Sequence, residues 1–346
     1  MYNSVYYDYR EDVIYVNDDK LGVLAKPNTP YCYRPVDRPT DYKTMYGQYV
    51  EKTLYNDDIN RFYEVDIRPE QRYLLDNYKT DDSIAENVIC FYDIEVDSRG
   101  GYAKAGKYNK MINCITTCVN NKFVIFFCDF KNRQIKYSRP DADVTFLYYR
   151  DEKQMLEDFF EYIFQNSVTI MTAWNGDGFD LPYIVHRSKK IGVDYNKLSP
   201  IEKVYVSKHG YIKIGLMNHM DYMLVYKNPI FRNKLPSYSL DYVGNHELNI
   251  GKVKHVGLDK LYVDDVQEFL NYAFRDVWIM VEIEKKKGFL EKAIAICSYS
   301  LISYEDFHKS SAIIEGAILR YMKNNNIVSV NNMNKNNPKE DKVGAY

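Results

Sequence analysis

The apolar positions of this chain change rhythm near Asn87. Before it, short runs such as Val13 to Val16 and Leu21 to Leu24, the second weakened by Gly22, sit among Tyr, Asp and Arg. Turn signals at Lys26-Pro27-Asn28-Thr29-Pro30 and Arg34-Pro35 break them up. This texture predicts a small, mostly β or α+β unit over residues 1–85, with no catalytic constellation in it. After Asn87, Val88 to Val96 (VICFYDIEV) is an apolar run of strand length, which reads as a buried strand. Met111 to Val119 and Lys122 to Phe130 predict two more strands, joined by the hairpin turn Asn120-Asn121. In Asp151 to Gln165 the apolar side chains Leu156, Phe159, Phe160, Ile163 and Phe164 recur at helical spacing. Val168 to Trp174 predicts a fourth strand and Asp180 to Ile191 a second helix. The resulting order implies a mixed sheet covered by helices, an α/β unit behind the small first one. Val204 to Ile214 (VYVSKHGYIKI) alternates around His209-Gly210 and predicts a β-hairpin. Further helices are expected over Ser237 to Leu248, capped by Ser237, over Asp264 to Leu290, and over about Tyr304 to Lys323. Residues 323–342 are rich in Asn and Lys and read as a solvated linker.

Composition narrows this picture a little. The 346 residues suit about two domains, at roughly 100–200 residues each. A hydrophobic fraction of 46% and a charged fraction of 27% allow a sizeable core. The outlier is tyrosine, with 35 residues. The formal net charge of -2 argues against a binder that holds nucleic acid by overall charge, so any such grip must be a local patch or a partner's. Cys32, Cys90, Cys114, Cys118, Cys128 and Cys297 form no C-x-x-C pair and mostly sit in apolar runs, as free thiols do in a reducing compartment. The N-terminus shows no secretory signal, and the longest strongly apolar run, Phe123 to Cys128, is far short of the about 20 residues that span a bilayer. A cytoplasmic location, in a cell or an infected cell, is expected.

The chemistry rests on acidic residues. Asp93 and Glu95 are alternate residues of one predicted strand and so share a face, where two neighbouring anions call for a cation or for water. Taken alone, a strand end meeting solvent is the plainer explanation of the pair. Asp180 follows Trp174-Asn175-Gly176-Asp177-Gly178-Phe179 just past a strand, which fits a carboxylate aimed at a site above the sheet, or a plain helix N-cap. Tyr272 and Asp276, four residues apart, share one helix face, as a water-orienting pair would and as any amphipathic helix allows.

Together the three pieces are more specific. The order D-x-E, N-x-x-x-F-D, Y-x-x-x-D resembles the exonuclease motifs of family B DNA polymerases, of the DEDDy group of RNase-H-like nucleases. Phe91-Tyr92-Asp93-Ile94-Glu95-Val96 is similar to the first motif. Thr172-Ala173-Trp174-Asn175 with Phe179-Asp180-Leu181-Pro182-Tyr183-Ile184 is similar to the second, and Tyr272-Ala273-Phe274-Arg275-Asp276-Val277 to the third. Pro236-Ser237-Tyr238-Ser239-Leu240-Asp241-Tyr242-Val243, continued by Glu247 to Lys252, resembles the segment between the last two. The likeness is greatest to replicative polymerases of tailed bacteriophages. It runs from about residue 86 to residue 322.

The resemblance implies an RNase-H-like exonuclease domain over residues 86–322, preceded by the N-terminal domain at 1–85 and followed by a linker and the start of a palm at 323–346. The implied activity is proofreading 3′→5′ hydrolysis of the terminal phosphodiester of DNA by two Mg²⁺ or Mn²⁺ ions. Asp93, Glu95, Asp180 and Asp276 would ligate the ions, Asp93 bridging both, and Tyr272 would position the attacking water. An all-carboxylate set with no His or Cys nearby suits such hard cations better than zinc. Tyr102, Asn175 and Phe179 are candidates for contact with the terminal bases, although a plain loop tyrosine, one among 35, explains Tyr102 as well. Lys203, Lys208 and Lys213 lie along the hairpin, where they would meet phosphates or keep it soluble. The closing Val343-Gly344-Ala345-Tyr346 resembles the G-A-[YF]-V opening of a palm, whose motifs D-x-x-S-L-Y-P-S and Y-x-D-T-D-S are absent. Polymerisation is therefore expected only with a further polypeptide supplying that half, whether the chain is a split subunit, an interrupted gene product or a fragment. The expected substrate is the single-stranded 3′ end of a primer-template. The competing readings are an autonomous DEDD nuclease and a non-catalytic DNA-binding scaffold.

Overall fold

The computed structural model describes residues 1–78, 84–99, 101, 106–131, 133–250 and 258–331. The first strands are β1 (Tyr2–Asp8), β2 (Val13–Asp18) and β3 (Gly22–Pro27), an antiparallel meander. Burial alternates along β2, with Ile14 and Val16 inward, as a strand covered on one face demands. The chain continues through β4 (Tyr31–Pro35), β5 (Tyr42–Thr44) and β6 (Tyr49–Leu54), which form the antiparallel part of a second sheet. Helix α1 (Pro69–Asn77) follows, with its proline at the first turn where a missing N–H costs nothing.

The main sheet begins with β7 (Ile89–Val96), β8 (Ile112–Val119), β9 (Lys122–Cys128) and β10 (Val144–Tyr149). Helix α2 (Glu152–Gln165) leads to β11 (Ile170–Thr172), then helix α3 (Asp180–Ile191). The predicted hairpin is β12 (Val204–Val206) with β13 (Ile212–Ile214), and β14 (Asn218–His219) closes the sheet. Strand order is β10-β9-β8-β7-β11-β14. β7, β8 and β9 run antiparallel, while β10 lies parallel to β9, and β11 parallel to both β7 and β14. The Asn120-Asn121 turn has positive φ at both residues, the conformation a two-residue hairpin requires.

Two strands of the main sheet were not legible in the sequence. β10 is a half-exposed edge strand without clean alternation, and β14 is two residues long. The expected fourth strand, Val168 to Trp174, shrinks to Ile170–Thr172.

The remaining helices are α4 (Tyr222–Lys227), α5 (Leu240–Leu248), α6 (Leu258–Asp264), α7 (Val266–Lys287), α8 (Phe289–Ser300) and α9 (Ser310–Asn324). Three expectations need correction. The cap of α5 is Ser239, whose hydroxyl accepts from Tyr242 N–H; Ser237 instead accepts from Ser239 N–H. The single helix expected over Asp264 to Leu290 is divided. Asp265 caps α7, and Gly288, at φ 59°, ends it in the left-handed conformation that glycine adopts freely. The Glu284 carboxylate then accepts from the N–H groups of Phe289, Leu290 and Glu291 and caps α8 from behind. Tyr304–His308 is a 3₁₀ turn, and the α-helix starts only at Ser310.

The stretch after residue 323 is not a solvated linker where it is described. β15 (Ile327–Val328) pairs parallel with β5, so the late chain completes the second N-terminal sheet. Asn331 is buried there, accepting from Val65 N–H and donating to the carbonyls of Ile59 and Phe62. The palm-like segment at 343–346 lies outside the described residues.

The pleat of the main sheet sorts its side chains into two cores. Cys90, Tyr92 and Ile94 pack on the α2 and α3 side with Phe159, Phe160 and Ile184. Phe91, Cys114 and Cys118 pack on the opposite side with Ala273, Phe274 and Val277 of α7. All six cysteines are buried and free. No described helix is long and apolar enough to cross a membrane.

Candidate active site

The alternation that puts Phe91 under α7 also turns Asp93 and Glu95 toward that helix. Asp93 pairs with Thr116 and Glu95 with Cys114 across the β7–β8 ladder. The register then slips between Glu95 and Val96, so regular pairing stops just beyond the two carboxylates, a common device beside active sites. Helix α7 packs over β7 and β8. Its formation is well specified: Asp265 caps it, Glu268 sits in the first turn, and Lys285, Lys286 and Lys287 oppose the dipole at its end.

Tyr272 and Asp276 lie one turn apart on α7 and are 6% and 4% exposed. Asp93, Glu95 and Asp276 each offer an oxygen atom, and these atoms lie within 4.8 Å of one another. Residues from an early strand and a late helix thus share one acidic focus. The expected convergence of strand and late helix is present for these three.

Asp180 occupies a different place. It is the first residue of α3 and does not serve as its cap; Phe179 holds that position and makes no side-chain cap bond. Instead Asp180 Oδ1 accepts from the backbone N–H of Ile94 at 3.2 Å, the residue between Asp93 and Glu95. The capping explanation therefore does not hold. The carboxyl is 3% exposed, and burial raises its pKa to about 7, against the lowering effect of the Ile94 bond and of His219. A buried carboxyl in this state gains from a nearby cation, which would let it ionise. Burial, aided by the Glu95 and Asp93 charges, likewise pushes the Cys114 thiol well up, so it is no candidate nucleophile.

The turn that delivers Asp180 is tight. Asn175 has φ 62°, and its carbonyl accepts from the N–H groups of Gly178 and Phe179 at 3.0 and 3.1 Å. The Asn175 side chain folds over Gly178, where a Cβ would come within 2.7 Å of Asn175 Oδ1. Trp174 Nε1 donates to the Tyr238 carbonyl at 2.9 Å, tying this turn to the Pro236 to Val243 segment. Phe179 packs its ring 5.4 Å from that of Tyr183 and stays partly accessible, while Asn175 is exposed.

Behind the turn lies a polar cluster that no sequence pattern marked. His219 Nδ1 donates to Asp177 Oδ1 at 2.7 Å, and His219 Nε2 lies 2.9 Å from the Tyr92 hydroxyl. Burial works against charge on His219, but Asp177 outweighs it and holds the imidazole above its ordinary range. Glu305, from the 3₁₀ turn, accepts from His219 N–H at 3.4 Å, and burial raises its pKa to about 7. The available signal was His219 itself, close to Met217 and Met220 and two residues before Asp221.

Of the expected DNA contacts, Tyr102 lies outside the described residues. Lys208 is exposed at the hairpin turn, and Lys213 lies on β13 with its ammonium 5.7 Å from the Tyr6 ring. Lys203 is engaged elsewhere: its ammonium binds Asp8 and Glu11 at 2.7 Å each and anchors the hairpin to the N-terminal meander.

The family described as DNA polymerase family B, exonuclease domain, matches residues 57–243. The chain is similar to the DNA-directed DNA polymerase of Escherichia phage RB69, 25% identical over 354 residues that cover 88% of this chain and 39% of that protein. It is also similar to the DNA-directed DNA polymerase of Enterobacteria phage T4, 32% identical over 172 residues, covering 46% of this chain and 19% of that one. The DNA polymerase of Red sea bream iridovirus is 28% identical over 210 residues, 53% of this chain and 20% of that protein. This chain thus spans about two fifths of the RB69 protein and less of the others. The family match stops before α7, so the contribution of Asp276 is seen in the geometry rather than in the match. A match over residues 57–243 takes in more than half of the chain, and by it the protein belongs to family B of the DNA polymerases, in the region of their exonuclease domain.

Proposed function

We propose that this chain is the proofreading 3′→5′ exonuclease portion of a family B DNA-directed DNA polymerase, hydrolysing the terminal phosphodiester of a single-stranded 3′ end with two divalent ions. The observation that carries the reading is the meeting of Asp93, Glu95 and Asp276 oxygens within 4.8 Å. Its donors are all carboxylates, the chemistry that fits Mg²⁺ or Mn²⁺. Asp93, Glu95 and Asp276, with Asp180 arriving from α3, would hold two such ions. When bound, they supply Lewis-acid stabilisation of charge on the phosphate and the leaving 3′ oxygen and ease deprotonation of water.

The chain's own groups do the placing. Asp276 brings its charge to the β7 carboxylates from the helix above, so the site assembles only in the folded domain. Tyr272, a turn earlier, directs its hydroxyl to the attacking water and fixes its approach. Asn175 and Phe179, on the turn before Asp180, meet the terminal nucleotide, the ring offering a face for stacking. Lys208 and Lys213 meet phosphates of the strand. In this reading residues 1–85 form an N-terminal domain, to which β15 contributes a strand, and residues 86–322 form the exonuclease domain. A polymerase half on a separate polypeptide would bind this body, and co-purification tests it.

The decisive experiment is Mg²⁺-dependent shortening of a labelled single strand. The wild-type chain should remove nucleotides from the 3′ end and Asp93→Ala should not. Equal activity in the two would end the proposal.

A further inference from the structure

Two of the chain pieces that carry the acidic motifs are fastened to one residue that belongs to neither. His219 ends β14, which pairs parallel with β11 through Met171. His219 is 5% exposed, and its imidazole bridges two groups, with Asp177 Oδ1 at 2.7 Å on Nδ1 and the Tyr92 hydroxyl at 2.9 Å on Nε2. Tyr92 is fully buried and immediately precedes Asp93 in β7. Asp177 belongs to the turn that runs into Asp180. A carboxylate only accepts, so the Nδ1–H must point at Asp177, and this sets the ring's orientation.

The turn is built around this ring. A Cβ on Gly176 would stand 2.8 Å from His219 Cε1, so only glycine lets the backbone come so close. The next amide, Asp177 N–H, donates to Asp221 Oδ2 at 3.2 Å, and the Gly176 carbonyl accepts from Leu181 N–H at 3.0 Å inside α3. The β14 backbone is in turn held to β11: Met220 N–H donates to the Met171 carbonyl at 3.0 Å, and the Thr172 hydroxyl to the Met220 carbonyl at 2.6 Å. A ring of similar volume without nitrogens would fill the space but leave the Tyr92 hydroxyl buried without its partner and free Asp177 to turn away.

We propose that His219, oriented by Asp177, is a positioning residue of the metal site, and that it sets the place of Asp180 relative to Asp93. The inference rests on the two-ion nuclease reading above. It assigns to His219 the spacing between β7 and the start of α3, and leaves Asp93, Glu95 and Asp276 to gather without it. Loss of the imidazole bonds should therefore weaken the ion that depends on Asp180 and spare the other.

The test uses the full chain, with Mn²⁺ titrated by calorimetry and a labelled single strand for kinetics. His219→Phe puts a slightly larger ring in place of the imidazole and removes both bonds. It should stay folded by circular dichroism and retain one Mn²⁺ affinity within about 2-fold. The second affinity and kcat should each fall about 10–100-fold, the usual cost of removing such a supporting bond, with KM little changed. His219→Asn, whose amide can still donate to Asp177, should recover part of the loss. A folded His219→Phe with unchanged Mn²⁺ affinities, or one whose kcat falls while both affinities hold, overturns the inference. If His219→Phe does not fold, the half-exposed Asp177 gives the second arm. Asp177→Ala should then lower the second Mn²⁺ affinity and Asp177→Asn restore it, and an Asp177→Ala equal to wild type is the refuting result. A wild-type chain that neither binds Mn²⁺ nor shortens the strand would refute the nuclease reading and this inference with it, whereas an active wild type beside an unaffected variant refutes this inference alone.

Discussion

Replacing Asp180 by asparagine should make the metal-free protein more stable and, if the proposed two-ion site is right, abolish strand shortening. The carboxyl is 3% exposed, and burial lifts its pKa from the ordinary 3.8 to about 7. Between those values the folded protein holds a proton that the unfolded chain has lost. The folded state thus binds more protons, and stability falls as pH rises through this window. Stability from the protonated carboxyl is full below about pH 4 and is lost once pH passes about 7. At about 1.4 kcal/mol per tenfold, the burial of this one ionised group costs on the order of 4 kcal/mol at pH 8, and about 2–3 kcal/mol of that accrues between pH 5 and pH 8. Asp180→Asn keeps the shape and the oxygen that accepts from Ile94 N–H but cannot ionise. Thermal unfolding in EDTA should show the variant melting several degrees above wild type at pH 8, with a smaller gap at pH 5. Adding Mn²⁺ should reverse the order, because a ligand bound only by the folded state stabilises by RT ln(1 + [L]/Kd), and in the proposed two-ion site the variant lacks the Asp180 carboxylate. A gap that fails to widen from pH 5 to pH 8 would refute the reasoning, since it would mean that Asp180 does not hold a proton in the folded state.

Three further outcomes are expected. Tyr272→Phe removes one hydrogen bond and no charge, so it should slow strand shortening about 10-fold, far less than Asp93→Ala, as single-turnover rates would show. Replacing Lys208 and Lys213 together by alanine should weaken single-strand binding and flatten the plot of log affinity against log salt, by about 0.7 for each phosphate no longer neutralised; an unchanged slope would leave these lysines a solubility role. Gly316→Ala should destabilise the protein by about 1–3 kcal/mol in urea unfolding despite alanine's better helix propensity, because its Cβ would meet the Ser300 carbonyl oxygen at 2.2 Å where α9 crosses the end of α8.

The local rules wrote much of this protein directly into its sequence. Alternation put Asp93 and Glu95 on one face of β7, the 3.6-residue period put Tyr272 and Asp276 on one face of α7, and Asn120-Asn121 set a hairpin, because each depends only on neighbours along the chain. The family resemblance added which of these residues belong together. What the chain could not display was distance. That Asp276 stands within 4.8 Å of the strand carboxylates follows from how α7 packs on β7 and β8, and that Lys203 is spent on Asp8 and Glu11 follows from how the hairpin lies on the first sheet. Ile327–Val328 looked like solvated linker because its neighbours are polar, yet the open edge of β5 supplies backbone partners that composition cannot reveal. His219 is the plainest case: a lone histidine among methionines has no pattern to betray it. Its role arises only when a two-residue strand carries it between Tyr92 and Asp177, where burial makes each hydrogen bond costly to lose.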